Sequence, residues 1–178
     1  MNPLAATLLR RRLAGALLWA GLFVMAPAGA AASGGGLQVA DQVVVVKSER
    51  RLYLMRAGQP IKSYKVALGL NPQGPKEREG DFRTPEGRYL LDGRNPASDF
   101  FLSIHVSYPN VEDVTRARHR HLSPGGSIMI HGLPNVPRRA LKYYQAADWT
   151  DGCIALTNDD MLEVWLLTRA NTPIEIRQ

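Results

Sequence analysis

A mainly β domain of the sandwich or barrel kind, with two or three short α-helices, is the fold this sequence predicts. Three observations carry that expectation. Short β-branched and aromatic runs recur between turn residues from Val43 onward. Stretches with helical period are few and short. The 178 residues are enough for one core and too few for two ordinary domains.

In chain order, residues 1–32 have the layout of a secretory signal. Arg10, Arg11 and Arg12 form a positive start, Leu13 to Ala26 is apolar without a charge, and APAGAAAS offers small residues for cleavage. A retained membrane anchor is the alternative reading of the same stretch. No cysteine lies near the cleavage region, which excludes a lipoprotein anchor. Residues 33–40 read as a flexible leader, and 41–178 as the folded domain.

QVVVVKSERRLYLMRAGQPIKSYKVALG then gives three apolar runs, Val43 to Val46, Leu52 to Met55 and Ile61 to Leu68, and predicts a β-meander. NPQGPKEREGD, 71–81, lacks apolar period and predicts an exposed loop. A Pro-Glu-Gly turn precedes a short strand, Arg88 to Leu91. In FFLSIHVSYP the apolar Leu102, Ile104 and Val106 alternate with Ser103, His105 and Ser107. Asn110 caps a helix expected to reach about Leu122, SIMIHG is a buried strand, and a short helix is expected from Pro137. After a short strand at Cys153 to Leu156, TNDDMLEVWLLTRAN is the clearest helix, with Met161, Leu162, Trp165 and Leu166 as its apolar set. TPIEIR closes the domain as a strand.

The full chain holds 22 basic and 16 acidic residues, and without residues 1–32 the counts become 19 and 16. Half of the excess charge therefore belongs to the leader, and the remainder implies no nucleic-acid partner. A single cysteine, Cys153, cannot pair internally in an oxidising compartment, so it is either an inert buried thiol or a reactive one. Gly152 before it lets a backbone approach closely and exposes amide N–H groups suited to an oxyanion. A thiol nucleophile also needs a base. Of four histidines, His119 and His121 lie in a basic, solvated stretch whose His-x-His spacing is a weak metal signal. His105 sits on a polar strand face. His131 alone ends a buried strand and precedes a glycine.

IMIHG, then WTDGCIALTN, with GDFRTPEGRY (Gly80 to Tyr89) upstream, together resemble the ordered motifs of L,D-transpeptidase catalytic domains, the YkuD-like family. The resemblance spans roughly Val43 to Ile176. It implies an exported or periplasmic enzyme that needs neither metal nor cofactor and acts on peptidoglycan stem peptides. Cys153 would attack the carbonyl of the diamino acid at position three, release D-alanine and form a thioester. An amine of a second stem would make a 3→3 cross-link, and in some relatives the product is a wall-anchored lipoprotein. In others water resolves the thioester, an L,D-endopeptidase reaction that cuts such links. His131 would carry the proton, with Gly152 and Cys153 giving oxyanion amides and Thr150 matching the motif's hydroxyl.

The chain departs from many relatives in having Asp151 in place of His, and Ala155 in place of Arg or Asn. An adjacent carboxylate pushes a thiol pKa upward, so more rests on His131. Asp151 reads either as the group that orients a histidine or as a solvent-facing acid. Thr150, Gly132, Arg138, Tyr144 and Trp149 are the candidate substrate-binding positions, the aromatics lying between His131 and Cys153 with Tyr143 in a segment placed to form a flap. Arg116, Arg118 and Arg139 are further candidates for carboxylates, or simply solvated. A non-catalytic wall-binding module with a structural cysteine is the remaining alternative.

Overall fold

The computed structural model describes residues 38–178. The secretory leader expected over 1–32 lies outside the described residues, as does most of the 33–40 segment. Among the described residues no helix is long and apolar enough to cross a membrane.

One mixed eight-stranded sheet organises the domain, with three helices packed around it. β1 (Gln42–Val46), β2 (Arg51–Arg56) and β3 (Gln59–Lys65) are the expected antiparallel meander. β4 (Gly87–Ser98) and β5 (Phe101–Val106) form a hairpin, followed by β6 (Met129–His131), β7 (Ile154–Ala155) and β8 (Thr172–Arg177). The spatial order is β3-β2-β1-β8-β4-β5-β6-β7. The last strand, β8, thus sits centrally, parallel to β1 and antiparallel to β4. Its alternation explains the placement: Ile174 and Ile176 are almost fully buried, while Pro173 and Arg177 face out.

The sheet's two ends are joined. Beyond β3 the backbone crosses to β7, where Ala67 and Ala155 exchange N–H···O bonds of 2.9 and 2.8 Å. Thr150 N–H then donates to Leu68 O at 3.1 Å, and Leu70 N–H to Thr150 O at 3.0 Å. This is why Ile61 to Leu68 is not one strand: Val66 to Leu68 leave the meander to close the ring.

Helix α1 (Val111–His119) starts with a capping box between Asn110 and Asp113 and ends three residues before Leu122, where His121 turns left-handed at φ 57°. Helix α2 (Leu141–Ala146) begins later than Pro137 predicts, because the amides of Arg138 and Arg139 donate to the Tyr144 hydroxyl and Ala140 stays extended. Helix α3 (Asn158–Leu167) is capped by Thr157 and buries Met161, Val164 and Leu167. The expected apolar set is half right, since Leu162 and Leu166 are exposed and Trp165 only partly buried. β4 extends well past Leu91, its Asp92 to Ser98 segment pairing irregularly with β5.

The 71–81 segment is irregular, as predicted, yet not loose. Lys47, with no exposed surface, donates from Nζ to Gly74 O (2.6 Å), Thr84 O (3.0 Å) and Glu86 Oε1 (2.8 Å). Lys76, also buried, reaches Asp81 at 2.7 Å. Lys47 ties the turn at Thr84 and Pro85 to the end of β1, while Lys76 braces the loop from within.

Candidate active site

β6 and β7 run parallel with Ile130 beside Ile154 and His131 beside Ala155. Both isoleucines are wholly buried and point into the core. Side chains alternate along a strand, so His131 is on the opposite face, and Cys153, the residue before Ile154, shares that face with it. Both line one cleft of about 590 Å³, together with Ser127, Met129, Trp149, Thr150 and Asp151, and with Asp99 and Phe100 from the β4–β5 turn.

His131 is 4% exposed and surrounded by rings, with Phe100 at 4.6 Å and Trp149 at 5.6 Å between centroids. Its Nδ1 lies 2.7 Å from the Gly132 carbonyl oxygen. A carbonyl only accepts, so Nδ1 carries the hydrogen and Nε2 keeps a lone pair. Burial lowers the imidazole pKa to about 4, the Gly132 bond opposing it, and the ring is neutral at pH 7. Burial likewise pushes the Cys153 thiol up; the Met129 amide and the Lys76 charge oppose this, while Asp151 adds to it. The thiol itself is 3.6 Å from Ser127 O. The resting pair is therefore a neutral thiol beside a neutral imidazole.

Tight local geometry sets the sulfur. Thr150 Oγ1 donates to Cys153 O (2.7 Å) and accepts from Gly152 N–H (3.1 Å). Gly152 has φ 132°, and a Cβ there would come 2.7 Å from the O of Arg83, the residue before the Thr-Pro-x-Gly turn, so only glycine fits. Asp148 anchors the segment upstream, taking Arg50 Nε and a second guanidinium N–H (3.1 and 3.0 Å) and Leu68 N–H (2.9 Å).

Several expected roles change. The Gly152 N–H, expected at the oxyanion site, donates to Thr150 Oγ1. The Thr150 hydroxyl is buried at the cleft wall, and its two hydrogen bonds set the loop that carries Cys153. Gly132 is buried against Asn158 Oδ1 and Phe101; its carbonyl, not Asp151, orients His131. Asp151 is exposed at the cleft mouth with no hydrogen bond to the ring. Arg138 and Tyr144 lie in a neighbouring cleft, and Trp149 stands in the wall between the two. Tyr143 lines that neighbouring cleft too. His105 pairs with Asp92 at 2.6 Å on the outer strand face, Arg116 with Asp113, while Arg118, His119 and His121 are exposed on and after α1. Asp99 and Phe100 were not foreseen, because a hairpin tip has no periodic signal.

The model of the L,D-transpeptidase catalytic domain, YkuD, matches residues 40–176. YafK of Escherichia coli strain K12, provisionally named an L,D-transpeptidase, is 31% identical over 130 residues, covering 69% of this chain and 45% of its own length. The chain thus spans about half the length of the curated relatives it matches. Among solved structures, the helical cell shape determining protein Pgp2 of Campylobacter jejuni superposes with a TM-score of 0.58 at 26% identity, over 76% of this chain and 46% of that one. Bd1075 of Bdellovibrio bacteriovorus gives 0.52 at 25%, over 79% and 51%. With a family model matching nearly all of the described residues, this chain belongs to the YkuD family of L,D-transpeptidase catalytic domains.

Proposed function

We propose that the domain is an exported cysteine acyltransferase acting on peptidoglycan stem peptides. The observation that carries the reading is the placement of Cys153 and His131 on one face of adjacent parallel strands, lining one cleft, with the imidazole tautomer set by Gly132. His131 Nε2 takes the thiol proton as Sγ attacks the carbonyl of the third residue. With the Gly152 N–H engaged, the Cys153 amide is the donor left at the nucleophile for the developing oxyanion. Collapse returns the proton to the departing D-alanine amine and leaves a thioester on Sγ. An amine of a second stem, or of a wall-attached protein, then adds while His131 accepts its proton, and the thiolate leaves. A relative named for determining helical cell shape supports a role in wall architecture.

The test is mass spectrometry of muropeptides after incubation of the purified protein with tetrapeptide substrate. Dimers linked 3→3, with a transient adduct on Cys153 and none in Cys153→Ala, are expected. Destruction of pre-made dimers without new ones would assign water as the acceptor. Absence of any adduct, together with a Cys153 that iodoacetamide fails to label, would overturn the catalytic reading.

A further inference from the structure

Beside the cysteine cleft lies a second one of about 580 Å³, and Asp99, Phe100 and Trp149 belong to both walls. Its far side carries Arg138 and Arg139, both exposed. One acid and two bases thus face the same space. Among the described residues none of the three side chains is in an ion pair, although eight such pairs form elsewhere in the domain. Arg139 lies over the Tyr143 ring, 5.9 Å from its centroid, and the backbones that carry the three charges are separate segments of the cleft wall.

Those backbones are pinned. Asn135 N–H donates to Asp99 O (2.8 Å), Asn135 Oδ1 accepts from Phe101 N–H (2.9 Å), and Asn135 Nδ2 donates to Ser98 O (2.9 Å), which locks the β4–β5 turn to the segment before α2. Across the cleft the Tyr144 hydroxyl accepts the amides of Arg138 (3.0 Å) and Arg139 (3.2 Å). Tyr144 in turn packs edge-on against Trp149, with 5.0 Å between centroids. The two backbones are therefore fixed on opposite sides of an aromatic floor, and a ligand that bridges the two signs has only the exposed side chains left to order.

We propose that this second cleft binds a zwitterionic amino-acid head, an ammonium and a carboxylate on one carbon, with the ammonium at Asp99 and the carboxylate at Arg138 and Arg139. Resting on the function proposed above, the head is the free end of the diamino acid in a stem peptide, its methylenes crossing Phe100 and Trp149 towards the cysteine cleft. A stem whose side-chain amine is already linked, or whose carboxylate is amidated, lacks one of the two charges. The cleft thereby distinguishes free stems from linked ones. A free amino acid such as released D-alanine carries the same head, and the experiment separates the two sources.

The test is calorimetric titration of Cys153→Ala protein with tetrapeptides whose diamino acid has a free end, an acetylated amine or an amidated carboxylate. The free form is expected to bind about fivefold more tightly than either masked form, which is what one partly exposed ion pair supplies. Asp99→Asn should abolish only the discrimination against acetylation. The double variant Arg138→Gln/Arg139→Gln should abolish only that against amidation, and Arg138→Lys/Arg139→Lys should keep most of it. Displacement of the peptide by D-alanine with the same dependence on these residues would assign the head to the released amino acid; no displacement would assign it to the stem. Equal affinity for all three peptides, or discrimination that survives both sets of variants, overturns the proposal. Binding is read without turnover, so a failure of thioester chemistry leaves this result legible.

Discussion

Acidification should weaken this domain through His131 in a calculable way. The imidazole is 4% exposed and its pKa falls from 6.5 to about 4 on folding. Because the folded value is the lower one, the stabilisation is complete above pH 6.5. As the pH falls below that, the unfolded chain takes up a proton that the folded one refuses, and stability is lost until about pH 4, where both are charged. At about 1.4 kcal/mol per pH unit, the loss amounts to about 3 kcal/mol. Urea unfolding of wild type and His131→Gln from pH 8 to 4 isolates it, since carboxylates titrate alike in both and cancel in the difference. The wild-type advantage should be flat above pH 6.5 and shrink by that amount below. In parallel, iodoacetamide labelling of Cys153 should accelerate into the alkaline range, because burial raises the thiol pKa. A pH-independent stability difference, or a plateau of thiolate reactivity persisting below pH 6, would refute the neutral resting pair and point to an imidazolium–thiolate pair.

Two further substitutions probe the scaffold. Thr150→Val orphans the Gly152 N–H and the Cys153 carbonyl; it should cost about 2 kcal/mol in urea unfolding and reduce turnover at least tenfold, with Thr150→Ser restoring both. Unchanged turnover would deny the loop-setting role. Lys47→Met leaves the Glu86 carboxylate and two carbonyls without their cation, and a loss of about 3 kcal/mol is expected, the low end for a broken buried pair because Glu86 keeps 23% of its side chain exposed. A melting temperature within a degree of wild type would show that the 71–86 segment does not depend on it.

β8 was legible because one face is buried, Ile174 and Ile176 alternating with outward residues, and β1 was legible as a continuous run because Val43 to Val46 are all buried. Cys153 and His131 were legible as candidates because Gly-Cys and His-Gly each pair a reactive group with a residue that permits close approach, and the structure places both on one cleft. Hydrogen-bond partners were not. That Thr150 would take the Gly152 amide, and that Gly132 rather than Asp151 would hold the imidazole, depends on backbone angles no spacing reveals. Lys47 gave no sign of burial, since a lysine after a valine run reads as a strand end; only the carbonyls of a distant loop make its position tolerable. The bridge from Ala67 to Ala155 joins residues 88 positions apart through small side chains that carry no pattern.

That bridge makes Cys153 a witness to the folding of the entire domain. In the folded domain the segment bearing Cys153 is bonded to the chain just beyond the meander, while β8 lies between β1 and β4. Pairings of such long separation are slow to form, because loop-closure entropy is lost before the contact compensates it. A lone sulfur whose reagent access depends on that final closure is a built-in clock: the time at which it ceases to react like an unfolded thiol marks the moment the ring shuts.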